Sequence, residues 1–257
     1  LYDVTLRLCR DDHTLDEVET YFGMRTIDAA HMGDNPNAPM ALRINGVPRY
    51  LRGALYQSYY PEGVYTAGDA STLKHDIDYA KRVGFNFLRV HIKVDDPLLL
   101  YYADKMGMLL MCDFPNFGEG GDTPLGRERF EYTMRKAIER DFNHPSIVAW
   151  CLFNETWGFG GQVELVKLFP GEKQNDAEAK MVVVESSESE VIQKAKLDNH
   201  GSHAWVQHIW EEAKVLDNTR LIEDMSVVYW DHLEFYGHGD TDINSWHFYI
   251  NDYAKAR

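Results

Sequence analysis

Residues 1–30 alternate between apolar and polar positions: Val4, Leu6 and Leu8 fall on one side of an extended chain, Thr5 and Arg7 on the other. A period of two predicts half-buried strands. The polar run Arg10-Asp11-Asp12-His13 reads as a turn, and Val18, Tyr21, Phe22 and Ile27 continue the pattern on the antiparallel return. A linker rich in Gly, Asn and Pro follows from His31 to Pro39. Leu42-Arg43-Ile44 and Val47-Pro48 then flank Asn45-Gly46, a pair that favours a tight hairpin turn. Two strands cannot make a stable domain, so residues 1–40 are expected to be the C-terminal strands of a β-sandwich whose first half lies outside this chain.

From residue 50 the rhythm changes to apolar runs separated by helical spacing. Strands are predicted at Tyr50–Gln57, Phe85–Ile92, Met108–Phe114, Ile147–Phe153, Arg220–Met225 and Asp242–Phe248. Between them fall helices at Asp69–Val83, where Leu73, Ile77 and Ala80 share a face, at Pro97–Met106, at Arg127–Phe142 and at Trp205–Leu216. Proline is well placed at the opening of a helix. Ile147–Phe153 is uniformly apolar, as in a parallel strand covered on both faces. Such alternation predicts an α/β fold with a parallel sheet, either a barrel or a doubly wound sheet. Residues 158–202 break the rhythm with an acidic segment that includes Glu185-Ser186-Ser187-Glu188-Ser189-Glu190. It reads either as a loop shaping a cleft or as a solvated insertion.

Composition removes several function classes. The net charge of -15 opposes binding to nucleic acid, which needs clustered Lys and Arg, and to an anionic membrane surface. No run of about 18 apolar residues is present, so no transmembrane helix is expected. Aromatic residues make up 13% of the chain, enough for rings that stack on sugars but equally for a large core. Cys9, Cys112 and Cys151 are too few and scattered for a disulfide framework or a Cys-x-x-Cys metal site. The chain opens without the charged and apolar regions of a signal peptide, and localisation stays open between a bacterial cytoplasm and periplasm.

In a parallel barrel the chemistry collects at the C-terminal ends of strands. Those ends read Gln57-Ser58-Tyr59-Tyr60, Arg89-Val90-His91, Asp113, Asn154-Glu155 with Trp157, Glu223-Asp224, and Trp246-His247-Phe248-Tyr249. Carboxylates, imidazoles, an amide and aromatics on one rim suit carbohydrate binding and acid/base work. Taken alone, His91 reads as a hydrogen-bonded structural histidine. Glu155 carries more weight, because it leaves the buried run Ile147–Phe153. Partial desolvation there favours the protonated carboxyl that a general acid needs; the plainer reading is a capping or salt-bridged Glu.

The run Asn143-His144-Pro145-Ser146-Ile147-Val148-Ala149-Trp150, continued by Asn154-Glu155, resembles the acid/base signature of glycoside hydrolase family 2, the β-galactosidases, β-glucuronidases and β-mannosidases. Leu51-Arg52-Gly53, Arg89-Val90-His91 with Asp96-Pro97, and Met106-Gly107-Met108-Leu109 leading to Asp113-Phe114-Pro115 agree with that family's first three barrel strands. The resemblance implies a (β/α)8 TIM barrel over residues 41–257, incomplete with about six strands and stopping before the seventh, preceded over residues 1–40 by the end of an immunoglobulin-like β-sandwich. It further implies hydrolysis of terminal β-O-glycosidic bonds by a retaining double displacement, without cofactor or metal. Glu155 would be the acid/base and Asn154 a partner of the sugar 2-hydroxyl. His91, Asp113, Trp157, His247 and Tyr249 become candidates for the sugar pocket. The nucleophile, a Glu ending the seventh strand, is expected beyond residue 257, so this chain alone is expected to be inactive; Glu223 and Asp224 do not match its position.

Which sugar is cleaved is left open, and a homo-oligomer is compatible with the sequence. Two other classes remain: a non-catalytic carbohydrate-binding or scaffold protein on the same barrel, and a metal-dependent hydrolase using His91, Asp113, Glu155 and His247. The latter lacks a His-x-His pair at the first strand's end.

Overall fold

The computed structural model describes residues 1–33, 35–116, 123–155, 200–228 and 238–247. Its first elements, β1 (Tyr2–Arg10) and β2 (His13–Phe22), form an antiparallel hairpin turning at Asp11, whose φ is 53°. The expected alternation is present. Leu6 faces Val18, and Tyr2 faces Phe22 with stacked rings 5.2 Å apart. The expected half-burial is not, since Leu6 is 58% and Val18 53% exposed. A two-stranded ribbon can bury an apolar face only against another layer, and among the described residues that face is largely uncovered. The opposite face carries Tyr21, whose hydroxyl donates to Asp104 Oδ2 at 2.7 Å.

A second antiparallel sheet joins β3 (Ile27–His31), β4 (Met40–Ile44) and β5 (Val47–Pro48). Its tight turn is built as the sequence predicts. Asn45 and Gly46 both take positive φ, 52° and 74°, a geometry these two residue types tolerate best.

The remaining strands form one sheet. They alternate with helices: β6 (Gly53–Tyr56), α1 (Ala70–Arg82), β7 (Phe87–Val90), α2 (Pro97–Met106), β8 (Leu109–Asp113), α3 (Pro124–Asp141), β9 (Ile147–Asn154), α4 (His200–Leu216), β10 (Leu221–Val228) and β11 (Trp246–His247). Hydrogen-bonded neighbours follow chain order from β6 to β11. The pairs β6/β7, β7/β8 and β10/β11 are parallel, as the strand–helix rhythm requires. The helices begin and end on local signals. Asp69 caps α1 by accepting from Thr72 N, while Leu73, Ile77 and Ala80 are buried. Asp96 caps α2 before Pro97, and Gly107 ends it at φ 69°. Of the acidic stretch 158–202, all but the last three residues lie outside the described ones; residues 200–202 open α4.

The chain divides into two compact units. One comprises Leu1–Phe114, Met134–Trp150 and Val215–Leu221; the other comprises Pro115–Thr133, Cys151–Lys214 and Ile222–Arg257. Strand β9 passes from the first into the second, and all eight of its residues are buried. In the first unit the start of β9 is held by arginines. Arg220 donates to the carbonyls of Phe142 (2.7 Å), His144 (2.8 Å) and Ile147 (3.0 Å), and Arg25 donates to those of Pro145 and Ile147, both at 2.9 Å. Asp217 receives the Arg220 guanidinium at 2.6 Å and the Trp150 indole N–H at 2.9 Å. Both members of the ion pair are essentially out of water, with side chains 2% and 0% exposed. Burial alone would push the Asp217 carboxyl up. Arg220, with hydrogen bonds from Trp150 and Thr219, outweighs that and holds it below its ordinary value.

Removing one partner of such a pair strands a buried charge. Asp217→Ala in the full-length protein is therefore expected to cost about 3–5 kcal/mol of unfolding free energy, measured by urea titration; a loss under about 1 kcal/mol would contradict the role given to the pair. Because the carboxyl's value is lowered on folding, its contribution is complete above the unfolded value and lost as pH falls through the folded one. The difference between wild type and Asp217→Asn should therefore shrink below about pH 4.

Candidate active site

In the second unit the end of β9 carries the sharpest constellation. Asn154 is 7% exposed, and the next residue, Glu155, turns out of the strand with φ 53°. For a residue with a Cβ this left-handed conformation costs of the order of 1–3 kcal/mol and persists only where its surroundings enforce it. One enforcing contact is visible: Glu155 N donates to Ser226 O at 2.9 Å, so the backbone stays tied to β10 while the side chain is redirected. The Glu155 carboxyl is 23% exposed and lies 2.6 Å from His247 Nδ1, on a ring 19% exposed. A carboxyl in partial contact with solvent and sharing a proton with an imidazole can give or take a proton at a reacting atom.

The same unit fixes Asn154 from two sides. Asn116 accepts from Asn154 N and donates to Asn154 O, each at 3.2 Å. Ser226, fully buried on β10, donates its hydroxyl to Asn154 Oδ1 at 3.2 Å. The sequence does not flag Asn116 or Ser226. Asn116 could have been found as the first amide after Asp113-Phe114-Pro115, and Ser226 by continuing β10 past Met225. β10 runs on to Val228, so Glu223 and Asp224, expected at its end, sit inside the strand at 0% and 1% exposure. Asp224 accepts from His238 Nδ1 at 2.6 Å, and Glu223 from Ser245 N at 2.8 Å. These hydrogen bonds tie β10 to the chain that follows it.

In the first unit a second cluster sits at the ends of β7 and β8. Arg89 grips Asp113 through two hydrogen bonds, Nε to Oδ1 at 2.8 Å and Nη2 to Oδ2 at 2.9 Å. His91 Nδ1 lies 3.2 Å from Asp113 Oδ2, and Ile92 N donates to that same oxygen at 3.3 Å. The Asp113 side chain is 1% exposed and that of His91 14%. Ile92 adopts φ 51°, a strained value for a β-branched residue. Thus His91 and Asp113 are brought together in one unit, and Asn154, Glu155 and His247 in the other. Trp157 and Tyr249 lie outside the described residues. Among the described residues, no group of three or more His, Cys, Asp or Glu is arranged to hold a metal ion, and no helix is long and apolar enough to cross a membrane.

Residues 42–237 match the model for glycosyl hydrolases family 2, TIM barrel domain. A β-galactosidase from Aeromonas hydrophila subsp. hydrophila is 31% identical over 169 residues, covering 62% of this chain and 15% of its own length. Bacteroides uniformis β-glucuronidase 2, solved covalently bound to cyclophellitol-6-carboxylate aziridine, is 25% identical with a TM-score of 0.60, over 88% of this chain and 23% of that one. The FMN-binding β-glucuronidase from Facaelibacterium prausnitzii L2-6 shares the fold with a TM-score of 0.65 at 20% identity, over 96% of this chain and 31% of that one. The chain therefore spans between about a seventh and a third of the length of these relatives.

The first cluster predicts a stability difference. Asp113→Ala leaves the buried Arg89 charge without its carboxylate and should cost about 3–5 kcal/mol in denaturant unfolding of the full-length protein. His91→Ala removes a partly exposed ring from a carboxylate that keeps Arg89, and should cost about 1 kcal/mol. Equal costs would mean that Arg89–Asp113 is not the anchor of this rim.

Proposed function

The chain belongs to glycosyl hydrolase family 2, and from that premise we propose that it carries the acid/base of a retaining β-glycosidase, with Glu155 as the group that protonates the departing oxygen. The observation that carries this reading is the position of Glu155. It is the first residue past a fully buried strand, turned out of the ladder at φ 53°, and it lies 2.6 Å from His247. In the first step the protonated carboxyl gives its proton to the glycosidic oxygen as the bond to the anomeric carbon breaks. In the second, the resulting carboxylate takes a proton from the water that releases the sugar. His247 holds the carboxyl in orientation through the 2.6 Å contact. Asn154 binds the sugar 2-hydroxyl, an interaction that strengthens as charge develops at the anomeric carbon.

The covalent adduct of the Bacteroides relative supports a covalent glycosyl-enzyme in this family. That step needs a second carboxylate about 5–5.5 Å from the first, and we assign it to no residue of 1–257. The burial of Glu223 and Asp224 inside β10 argues against either of them in that role. His91, Trp157 and Tyr249 are proposed as sugar contacts. Asp113, whose carboxylate is engaged by Arg89, is proposed to orient His91 and not to touch the sugar. The exposed Leu6, Leu8 and Val18 stripe of the N-terminal hairpin is proposed to belong to the end of a β-sandwich that precedes the barrel. All of this is proposed for the full-length protein and for terminal β-O-glycosides as a class.

The test is Glu155→Gln with a series of β-glycosides of graded leaving groups. Alkyl glycosides need protonation and should lose about 10²–10⁴-fold in kcat/KM, while activated aryl glycosides should lose far less in the glycosylation step. A mild loss of equal size across the series would overturn the acid role.

A further inference from the structure

Strand β6 is followed by Gln57-Ser58-Tyr59-Tyr60, a stretch that the proposed reaction leaves unused. Lys93, between β7 and α2, is buried against it, with a side chain 4% exposed. The ammonium donates to Ser58 O, Ser58 Oγ and Tyr65 O, each at 2.7 Å, so its three hydrogens are all used. Ser58 Oγ donates in turn to Asp95, whose carboxylate lies 3.5 Å from the ammonium on a side chain 2% exposed. A buried charge pair is costly unless its hydrogen bonds are met, and here those bonds fasten both ends of the loop 58–65. Between the two ends, Tyr60 and Val64 exchange backbone hydrogen bonds of 3.0 and 2.7 Å. Val64 sits at φ 55° while 67% exposed. A β-branched residue keeps that left-handed conformation only where its surroundings enforce it.

What this fixed loop presents is a pair of tyrosine rings. Tyr59 and Tyr65 lie 6.1 Å apart at 67°, with the Lys93 ammonium 5.7 and 4.5 Å from their centroids. They are nonetheless 57% and 49% exposed. Rings held in place and open to water suit the C–H face of a pyranose, and their hydroxyls can meet sugar hydroxyls. The groups proposed for the terminal sugar are more enclosed: Asn154 is 7% exposed and the His91 side chain 14%. An open platform suits instead the part of a substrate that projects from an enclosing pocket. We propose that Tyr59 and Tyr65 form a binding platform for the aglycone sugar of a β-linked disaccharide. The inference rests on the reading of the chain as part of a β-glycosidase, and it makes the loop after β6 a determinant of which glycosides are cleaved.

The experiment uses the full-length enzyme and two substrates for each of galactose, glucuronic acid and mannose: the methyl β-glycoside, and the disaccharide in which that sugar is β-linked to glucose. Tyr59→Ala and Tyr65→Ala are expected to raise KM about 3- to 10-fold for the disaccharide that wild type cleaves, with kcat little changed, because stacking is lost equally from the ground and transition states. On the methyl glycoside of the same sugar, which has no second ring to stack, KM should stay within about twofold of wild type. Tyr59→Phe and Tyr65→Phe keep the rings and should keep most of the affinity for the disaccharide. Tyr65→Ala leaves its carbonyl on Lys93, and thermal unfolding of each variant reports whether the fold is kept. Equal KM rises on both substrates, no rise on either, or a lower thermal midpoint with KM unchanged would overturn the platform and leave the assignment of Glu155 standing. A wild type that cleaves none of the six substrates would end the glycosidase reading, and the proposal with it.

Discussion

Strand Ile147–Asn154 is buried along its whole length, so every backbone group at its two ends has to find a partner inside the protein. At the start the partners are cationic: Arg220 and Arg25 deliver their N–H donors to the carbonyls of Phe142, His144, Pro145 and Ile147. At the end they are neutral, the Asn116 amide and the Ser226 carbonyl. The two ends therefore do different work. The run Asn143–Trp150, which carries much of the family resemblance, lies at the anchored end, where it fixes stability. The proposed chemistry belongs to the other end, as expected for a parallel barrel.

That division accounts for the strain at the rim. A β ladder continued through Glu155 would have carried its side chain along the sheet. The positive φ breaks the alternation, and the hydrogen bond from Glu155 N to Ser226 O keeps the break from spreading. Ile92, one residue past His91, shows the same departure, with its N–H on Asp113. At both strand ends a carboxylate or carbonyl from the neighbouring strand takes the redirected backbone N–H, and a side chain with acid/base or hydrogen-bonding capacity sits at the turn.

Legibility in the sequence followed the range of the forces involved. Helices α1 and α2 were readable nearly to the residue because Asp69, Asp96, Pro97 and Gly107 are local punctuation. The Asn45-Gly46 turn was readable for the same reason. Strand β9 declared itself by an unbroken apolar run. The N-terminal hairpin is less buried than its pattern predicts because alternation reports which face is apolar, and not whether anything covers it. β10 extends past the expected end because Glu223 and Asp224, polar enough to suggest a rim, are engaged inside the protein by Ser245 and His238. Asn116 and Ser226 are not legible in the sequence because their contacts to Asn154 span 38 and 72 residues, a separation no local pattern records.

The account stands or falls on the chemical identity of Glu155, and the most direct measurement is the product formed when its carboxyl is deleted. Glu155→Ala in the full-length protein should turn over an activated aryl β-glycoside slowly. Added azide should accelerate it and give the β-glycosyl azide, because the anion attacks a glycosyl-enzyme that has lost its base on that face. An α-glycosyl azide would make Glu155 the nucleophile, and no acceleration by azide would remove it from the acid/base role altogether.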